Sequence, residues 1–353
     1  MRFTPAAFED IPTVAEMVET MDATVAGLEA TKLRLASHLR RFMVAAARGR
    51  DNTPQNVLMI GPSGGGKTYM LRHLLEACPV IWTEANATEF SDVGYVGREL
   101  TSMYLGLMQP RWRGHKGDES GMWSAPEMTA LAERWGVVII DEFDKLRADA
   151  VPKQGERAVG RALQAELLKL SEGTEALAKR NDDDRGVFVN TQHILHIAVG
   201  AFQGLNRTVA RRENPEVDTD NIPDNAYTRC TIFDIVRYGF LEELVGRFST
   251  IVTLPPLNAD HMARILVNHV LPAFEEQARD DGLFLDITPG AISQTATRAS
   301  GLPIGARALV PMLDDCLHKS WQLAQRGDTI RLTADNVIGD TSTLVRQAVA
   351  VSA

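Results

Sequence analysis

The chain has 353 residues, 44% hydrophobic and 24% charged, enough apolar material for a core and a length that suggests about two domains. Its formal net charge of −9 disfavours the phosphate backbone of duplex nucleic acid as a partner. Cys78, Cys230 and Cys316 stand far apart without zinc-ligand spacing, no apolar run approaches the roughly 20 residues that span a bilayer, and Met1-Arg2-Phe3-Thr4 lacks the apolar core of a signal peptide, so the expected location is the reducing cytoplasm.

Residues 1–22 are mixed and acidic and carry no assignable periodicity. From 23 to 48 a stripe of Leu28, Leu35, Leu39, Phe42, Met43 and Ala46 predicts a helix, ended by polar residues 50–54. Val57-Leu58-Met59-Ile60 reads as a short buried strand, followed at once by a glycine-rich turn and a helix over 68–77. Further apolar runs, Val80-Ile81-Trp82, Val137-Val138-Ile139-Ile140, 194–199 and Ile251-Val252-Thr253-Leu254, alternate with helical segments. Continuous apolar strands between helices predict an α/β domain, a doubly wound parallel sheet covered on both faces and ending near Pro255-Pro256.

Past Pro256 the pattern turns helical. A helix over 258–270 is expected to stop at Pro272, and a strand is expected over 283–287. Thr288-Pro289 reads as an N-cap with proline in the first turn, 305–325 as a long helix, and 329–332 as a last strand. The domain expectation is an N-terminal segment over 1–22, a large α/β domain over 23–256 and a smaller, mainly helical C-terminal domain over 257–353. Two polar stretches interrupt the large domain: 109–126, with Trp112 and Trp123, and 176–186, with Lys179-Arg180. Either is a solvated loop or a face turned to a substrate or partner.

Gly61-Pro62-Ser63-Gly64-Gly65-Gly66-Lys67-Thr68, with a strand before it and a helix after it, matches the P-loop pattern. Its glycines let the backbone close around phosphate, and the helix N-terminus adds free N–H groups. Lys67 is placed for the β- and γ-phosphates of ATP and Thr68 for Mg²⁺, with Tyr69 next along the nucleotide-binding segment. The run over 137–140 delivers Asp141 and Glu142 to a strand end, Asp141 to hold Mg²⁺ and Glu142 to polarise the attacking water. Asp144 and Lys145 read as structural. Spread charge on a transferring phosphoryl group calls for a guanidinium, for which Arg247 and Arg307 are candidates that spacing alone does not select among the other arginines.

These motifs together resemble the ClpX/HslU branch of the AAA+ protein unfoldases, over roughly residues 25–337. Val25-Ala26-Gly27-Leu28 resembles the family's adenine-side segment, which adds Val25 and Ala26 to the expected nucleotide contacts. Gly94-Tyr95-Val96-Gly97 is identical to the pore loop that grips translocating polypeptide, and Tyr95 between flexible glycines suits non-specific packing on an unfolded chain. The stretch 167–174 is close to a ClpX signature, and Gly200-Ala201-Phe202-Gln203 resembles a strand end in HslU. Tyr238-Gly239-Phe240 through Gly246-Arg247 matches the stretch ending in a trans-acting arginine finger, and Gly305-Ala306-Arg307 matches the sensor-2 arginine.

The resemblance implies a P-loop NTPase of AAA+ type that uses ATP and Mg²⁺. It implies protein substrates and a homo-oligomeric ring, hexameric in that family. Departures are also legible. The four-cysteine zinc module of ClpX has no counterpart, and residues 206–228 lack its Ile-Gly-Phe docking tripeptide. Only 109–126 stands where HslU carries a large insertion, Lys179-Arg180 replaces the Arg-Lys-His of the second ClpX pore loop, and Glu242 replaces a proline before the arginine-finger helix. The expected function is an ATP-dependent unfoldase that pulls polypeptide through a ring pore, with a peptidase partner left open; the alternatives are a stand-alone remodeller and a nucleic-acid-associated motor.

Overall fold

Four-residue runs such as Val57–Ile60 have no polar side to turn to water, so they form strands only where helices cover both faces of a sheet. In the computed structural model they do so. It describes residues 10–23, 25, 27–50, 53–90, 99–108, 125–147, 156–179, 185–218 and 222–346. Two compact units result. One runs through Pro255 apart from two short segments; the other gathers those segments, Val25–Gly27 and Pro62–Gly66, with the chain from Pro256 onward.

The larger unit opens with helices α1 (Val14–Asp22) and α2 (Glu29–Ala47), then strand β1 (Val57–Ile60), α3 (Lys67–Glu76) and β2 (Ile81–Asn86). It continues with α4 (Ala125–Trp135), β3 (Gly136–Asp141), α5 (Glu156–Glu172), β4 (Glu175–Ala178), β5 (Val187–Asn190) and β6 (Leu195–Gly200). Helices α6 (Leu205–Glu213), α7 (Ile232–Tyr238) and α8 (Glu242–Arg247) and strand β7 (Thr250–Thr253) complete it. The five-stranded sheet has the order β2-β3-β6-β1-β7, all pairs parallel. Register aligns the carboxyl ends: Ile60 stands beside Gly200 and Thr253, and Asn86 beside Asp141. In an open parallel sheet that edge is where ligands bind.

Several local expectations shift. Residues 1–22, left without an element, hold α1, whose N-terminus is closed by a capping box between Thr13 and Glu16. The helix expected from 23 starts at Glu29, because Gly27 and Leu28 take left-handed φ values of 75° and 65°. The start of the polar stretch 176–186 is not a loop: residues 176–178 belong to β4, which pairs antiparallel with β5, Ala178 opposite Val187. Residues 109–124, with Trp112 and Trp123, lie outside the described residues.

The smaller unit contains α9 (Ala259–Ile265), α10 (Leu271–Asp280), β8 (Phe284–Ile287), α11 (Pro289–Ser300), α12 (Leu309–Leu323), β9 (Thr329–Leu332), α13 (Ala334–Ile338) and β10 (Thr343–Val345). Here Pro272 does not stop the helix. A π-turn over Leu266–Val270 carries α9 into α10, with the Leu271 N–H reaching back to the Leu266 carbonyl. Widening the turn just ahead of Pro272 relieves the contact between its ring and the preceding turn, so the helical path continues. Thr288 caps α11 through the Ala291 N–H, with Pro289 in the first turn, as expected. The helix expected from 305 begins with a 3₁₀ turn, Gly305–Ala308, before α12.

One buried polar pair sits in the large core. The Tyr104 hydroxyl and His196 Nε2 are 2.9 Å apart, both residues are fully enclosed, and burial pushes the His196 imidazole down to about 4. The fold therefore favours neutral His196. That stability is complete above the ordinary histidine value of about 6.5 and is lost as pH falls from there toward 4, an effect of about 3 kcal/mol. His196→Gln is expected to flatten the acid limb of a stability–pH profile in that window; an unchanged limb would assign acid sensitivity to the carboxylates instead.

Candidate active site

β1 ends at Ile60 and α3 begins at Lys67, so the glycine-rich segment fills the turn between a central strand and a helix N-terminus. Gly64 and Gly66 have φ values of 68° and 80°, where a side chain would be strained. A Cβ on Gly64 would also run into the Ile304 carbonyl, while the Gly64 carbonyl accepts from the Ala306 N–H at 3.2 Å. Arg307 Nη1 donates to Ser63 Oγ at 3.3 Å. Val25 lies against Gly66: a Cβ there would stand 3.3 Å from Val25 Cγ2. The Gly65 N–H closes the turn onto the Pro62 carbonyl at 3.1 Å. Ala26 lies outside the described residues.

Lys67 is buried and donates from Nζ to the Gly61 carbonyl at 2.8 Å, which holds its ammonium at the mouth of the turn. Thr68 Oγ1 donates to Asp141 Oδ2 at 2.8 Å, so two oxygen ligands from α3 and β3 meet. The neighbouring Tyr69 is exposed, with its ring against His73. On the same helix Arg72 is bound bidentately to Glu84, at 2.6 and 2.8 Å. That hydrogen bond, and to a lesser degree the charge of Asp141, raises the Arg72 guanidinium above its ordinary value.

Glu142 follows Asp141 with φ 54° and ψ 32°, a left-handed conformation that costs a residue other than glycine about 1–2 kcal/mol. Its N–H donates to Asp141 Oδ1 at 2.8 Å, and its side chain is exposed with no hydrogen bond or ion pair among the described residues. Such strain persists where the surroundings impose it, commonly at functional positions. Close by, buried Asp144 accepts the Ala201 N–H at 3.0 Å and ties the ends of β3 and β6 together. Lys145 lies 3.6 Å from Asp144.

Arg247 is the last residue of α8, about half exposed, and its Nη2 is 2.6 Å from Glu172 Oε1 at the end of α5. Phe248, Phe240 and Phe143 pack together beside it, with ring centroids 5.1 and 5.3 Å from that of Phe143. Sequence reasoning missed Gln164, which is fully buried on α5. Its amide nitrogen donates to the Leu146 carbonyl at 2.7 Å and its oxygen accepts the Leu241 N–H at 2.8 Å. One side chain thus joins the turn after Asp141-Glu142 to the start of α8. The signal was present: an amide inside the buried stripe Leu163, Leu167 and Leu170 demands polar partners. Gly94, Tyr95, Val96 and Gly97 lie outside the described residues.

Among the described residues no group of three or more His, Cys, Asp or Glu side chains is arranged to hold a metal. Thr68 and Asp141 nonetheless fit Mg²⁺, which takes one or two oxygens from protein and the rest from phosphates and water. No described helix is long and apolar enough to cross a membrane.

Comparison with known proteins agrees with this geometry. The family model described as AAA domain (Cdc48 subfamily) matches residues 52–251. The ATP-dependent Clp protease ATP-binding subunit ClpX of Porphyromonas gingivalis is 26% identical over 358 residues, covering 94% of this chain and 82% of that protein. Its namesake in Treponema denticola is 29% identical, covering 85% and 74%. That of Azotobacter vinelandii is also 29% identical, covering 87% and 73%.

Proposed function

The chain belongs to the AAA domain family (Cdc48 subfamily), and on that premise we propose that it is an ATP-hydrolysing motor that unfolds protein substrates as a homo-oligomeric, hexameric ring in the cytoplasm. The observation that carries the reading is that Lys67, Thr68 and Asp141 are held together at the carboxyl edge of a parallel sheet, in a chain similar to ClpX proteins along most of its length.

In this reading the backbone of Gly61, Pro62, Ser63, Gly64, Gly65 and Gly66 wraps the phosphates, and Val25 and Ala26 hold the adenine. Lys67 exchanges the Gly61 carbonyl for the β- and γ-phosphates. Mg²⁺, when bound at Thr68 and Asp141, neutralises phosphate charge. Glu142, with a free carboxylate at the strand end, takes a proton from the attacking water. Arg247 meets the γ-phosphate of a neighbouring subunit's nucleotide, and Arg307, already at Ser63, senses the bound phosphates. Tyr95 grips the polypeptide.

The similarity to subunits of Clp proteases supports a motor that feeds a peptidase, and because residues 206–228 lack the Ile-Gly-Phe docking tripeptide, docking would use another surface. The test is ATP-dependent unfolding of a tagged fluorescent protein, with and without candidate peptidases. Tyr95→Ala is expected to keep ATP hydrolysis and lose unfolding; normal unfolding by that variant would remove the pore assignment. Stimulation of hydrolysis by DNA, weakening with salt, would instead favour a nucleic-acid motor.

A further inference from the structure

At the opposite edge of the sheet, where the chain enters β1 and β6, the larger unit holds a cavity of about 460 Å³. That volume is within the range of small-molecule sites. Its charged lining is one-sided. Arg41, Arg50 and Arg134 face it together with His38 and His193, against Glu133 as the one carboxylate among the described lining residues. Glu133 is already engaged, accepting the Asn190 N–H at 2.8 Å.

Two of the guanidiniums are fixed in place by neutral groups. Arg134 donates from Nε to the Ala46 carbonyl at the end of α2, at 2.7 Å. Arg41 Nη2 lies 3.2 Å from His38 Nδ1, and His38 Nε2 lies 2.5 Å from the Gln55 carbonyl. Because a carbonyl only accepts, Nε2 carries the proton and Nδ1 accepts from Arg41. Burial and the nearby arginines lower the His38 imidazole, which keeps it in that neutral form. Each fork therefore spends one N–H on a neutral partner, has no carboxylate partner among the described residues, and keeps its remaining donors. Unpaired, pre-positioned guanidiniums around a concavity, in a chain of net charge −9, are arranged to receive oxyanions.

We propose that this cavity is a second anion site, separate from the glycine-rich loop, for a small ligand bearing two or more acidic groups, specifically a phosphate compound. The test uses the full-length chain carrying Lys67→Ala, which disables the loop's own phosphate binding, titrated with inorganic pyrophosphate by calorimetry without Mg²⁺. One saturable site is expected. Adding Arg41→Gln weakens it at least about tenfold through loss of a charge-assisted contact, and Arg41→Lys weakens it less. Arg48→Gln, on the same helix end but outside the cavity, leaves it unchanged. Thermal melting of each variant separates lost binding from lost folding. Absence of saturable binding, or equal losses in the Arg41 and Arg48 variants, would overturn the site. An oligo-glutamate peptide binding in place of pyrophosphate, with the same dependence on Arg41, would overturn the small-phosphate assignment.

Discussion

Arg247→Ala is expected to lower ATP hydrolysis by about 10³-fold or more, with ATP binding and thermal stability unchanged. The size of the effect follows from placing a planar cation where γ-phosphate charge spreads in the transition state. The alternative role is visible in the structure: Arg247 pairs with Glu172 at 2.6 Å and could be a surface strut. Both side chains are nearly half exposed, however, and such pairs contribute at most about 1 kcal/mol. A strut would therefore show in the melting curve and hardly in the rate; an arginine finger does the reverse. Mixing settles whose nucleotide it serves. A ring of Arg247→Ala subunits mixed with Glu142→Gln subunits regains part of the activity if the arginine acts across the interface, because an intact Glu142 then meets an intact Arg247. No recovery would place Arg247 in its own subunit's chemistry.

Glu142→Gln is expected to slow hydrolysis by about 10²–10⁴-fold while ATP still binds, so that the nucleotide-bound ring accumulates. The amide matches the carboxylate in shape but cannot take a proton from water. Glu142 has no ion pair or side-chain hydrogen bond among the described residues, and the left-handed backbone is the same for Gln, so stability should not move. The measurement is single-turnover hydrolysis beside nucleotide affinity. A normal rate would transfer the base role to another group.

The core of the candidate site was legible because its signals are local. A strand, a turn that needs positive φ and a helix are written in consecutive residues, so Gly61 through Thr68 could be found without knowing their neighbours. The same holds for Asp141 and Glu142, delivered by an apolar strand. Other features depend on partners distant in sequence. Gln164 looks like an ordinary helical amide until Leu146 and Leu241 are brought to it. The choice of Arg247 and Arg307 among the arginines came from resemblance, because charge alone does not distinguish one arginine from another.

The sequence by itself determined the alternation of apolar strands and helices, the phosphate-binding turn and the acidic strand end, since each rests on the periodicity or conformational freedom of neighbouring residues. Tertiary structure decided that Pro272 sits within a continuous helix, that residues 176–178, read as loop, pair with β5 as part of β4, that Glu142 is held left-handed and that Arg41 and Arg134 line one cavity. The physical reason is common to all four. Each outcome is set by contacts whose energy exceeds a local preference of about 1–3 kcal/mol, and those contacts exist only once distant segments have packed.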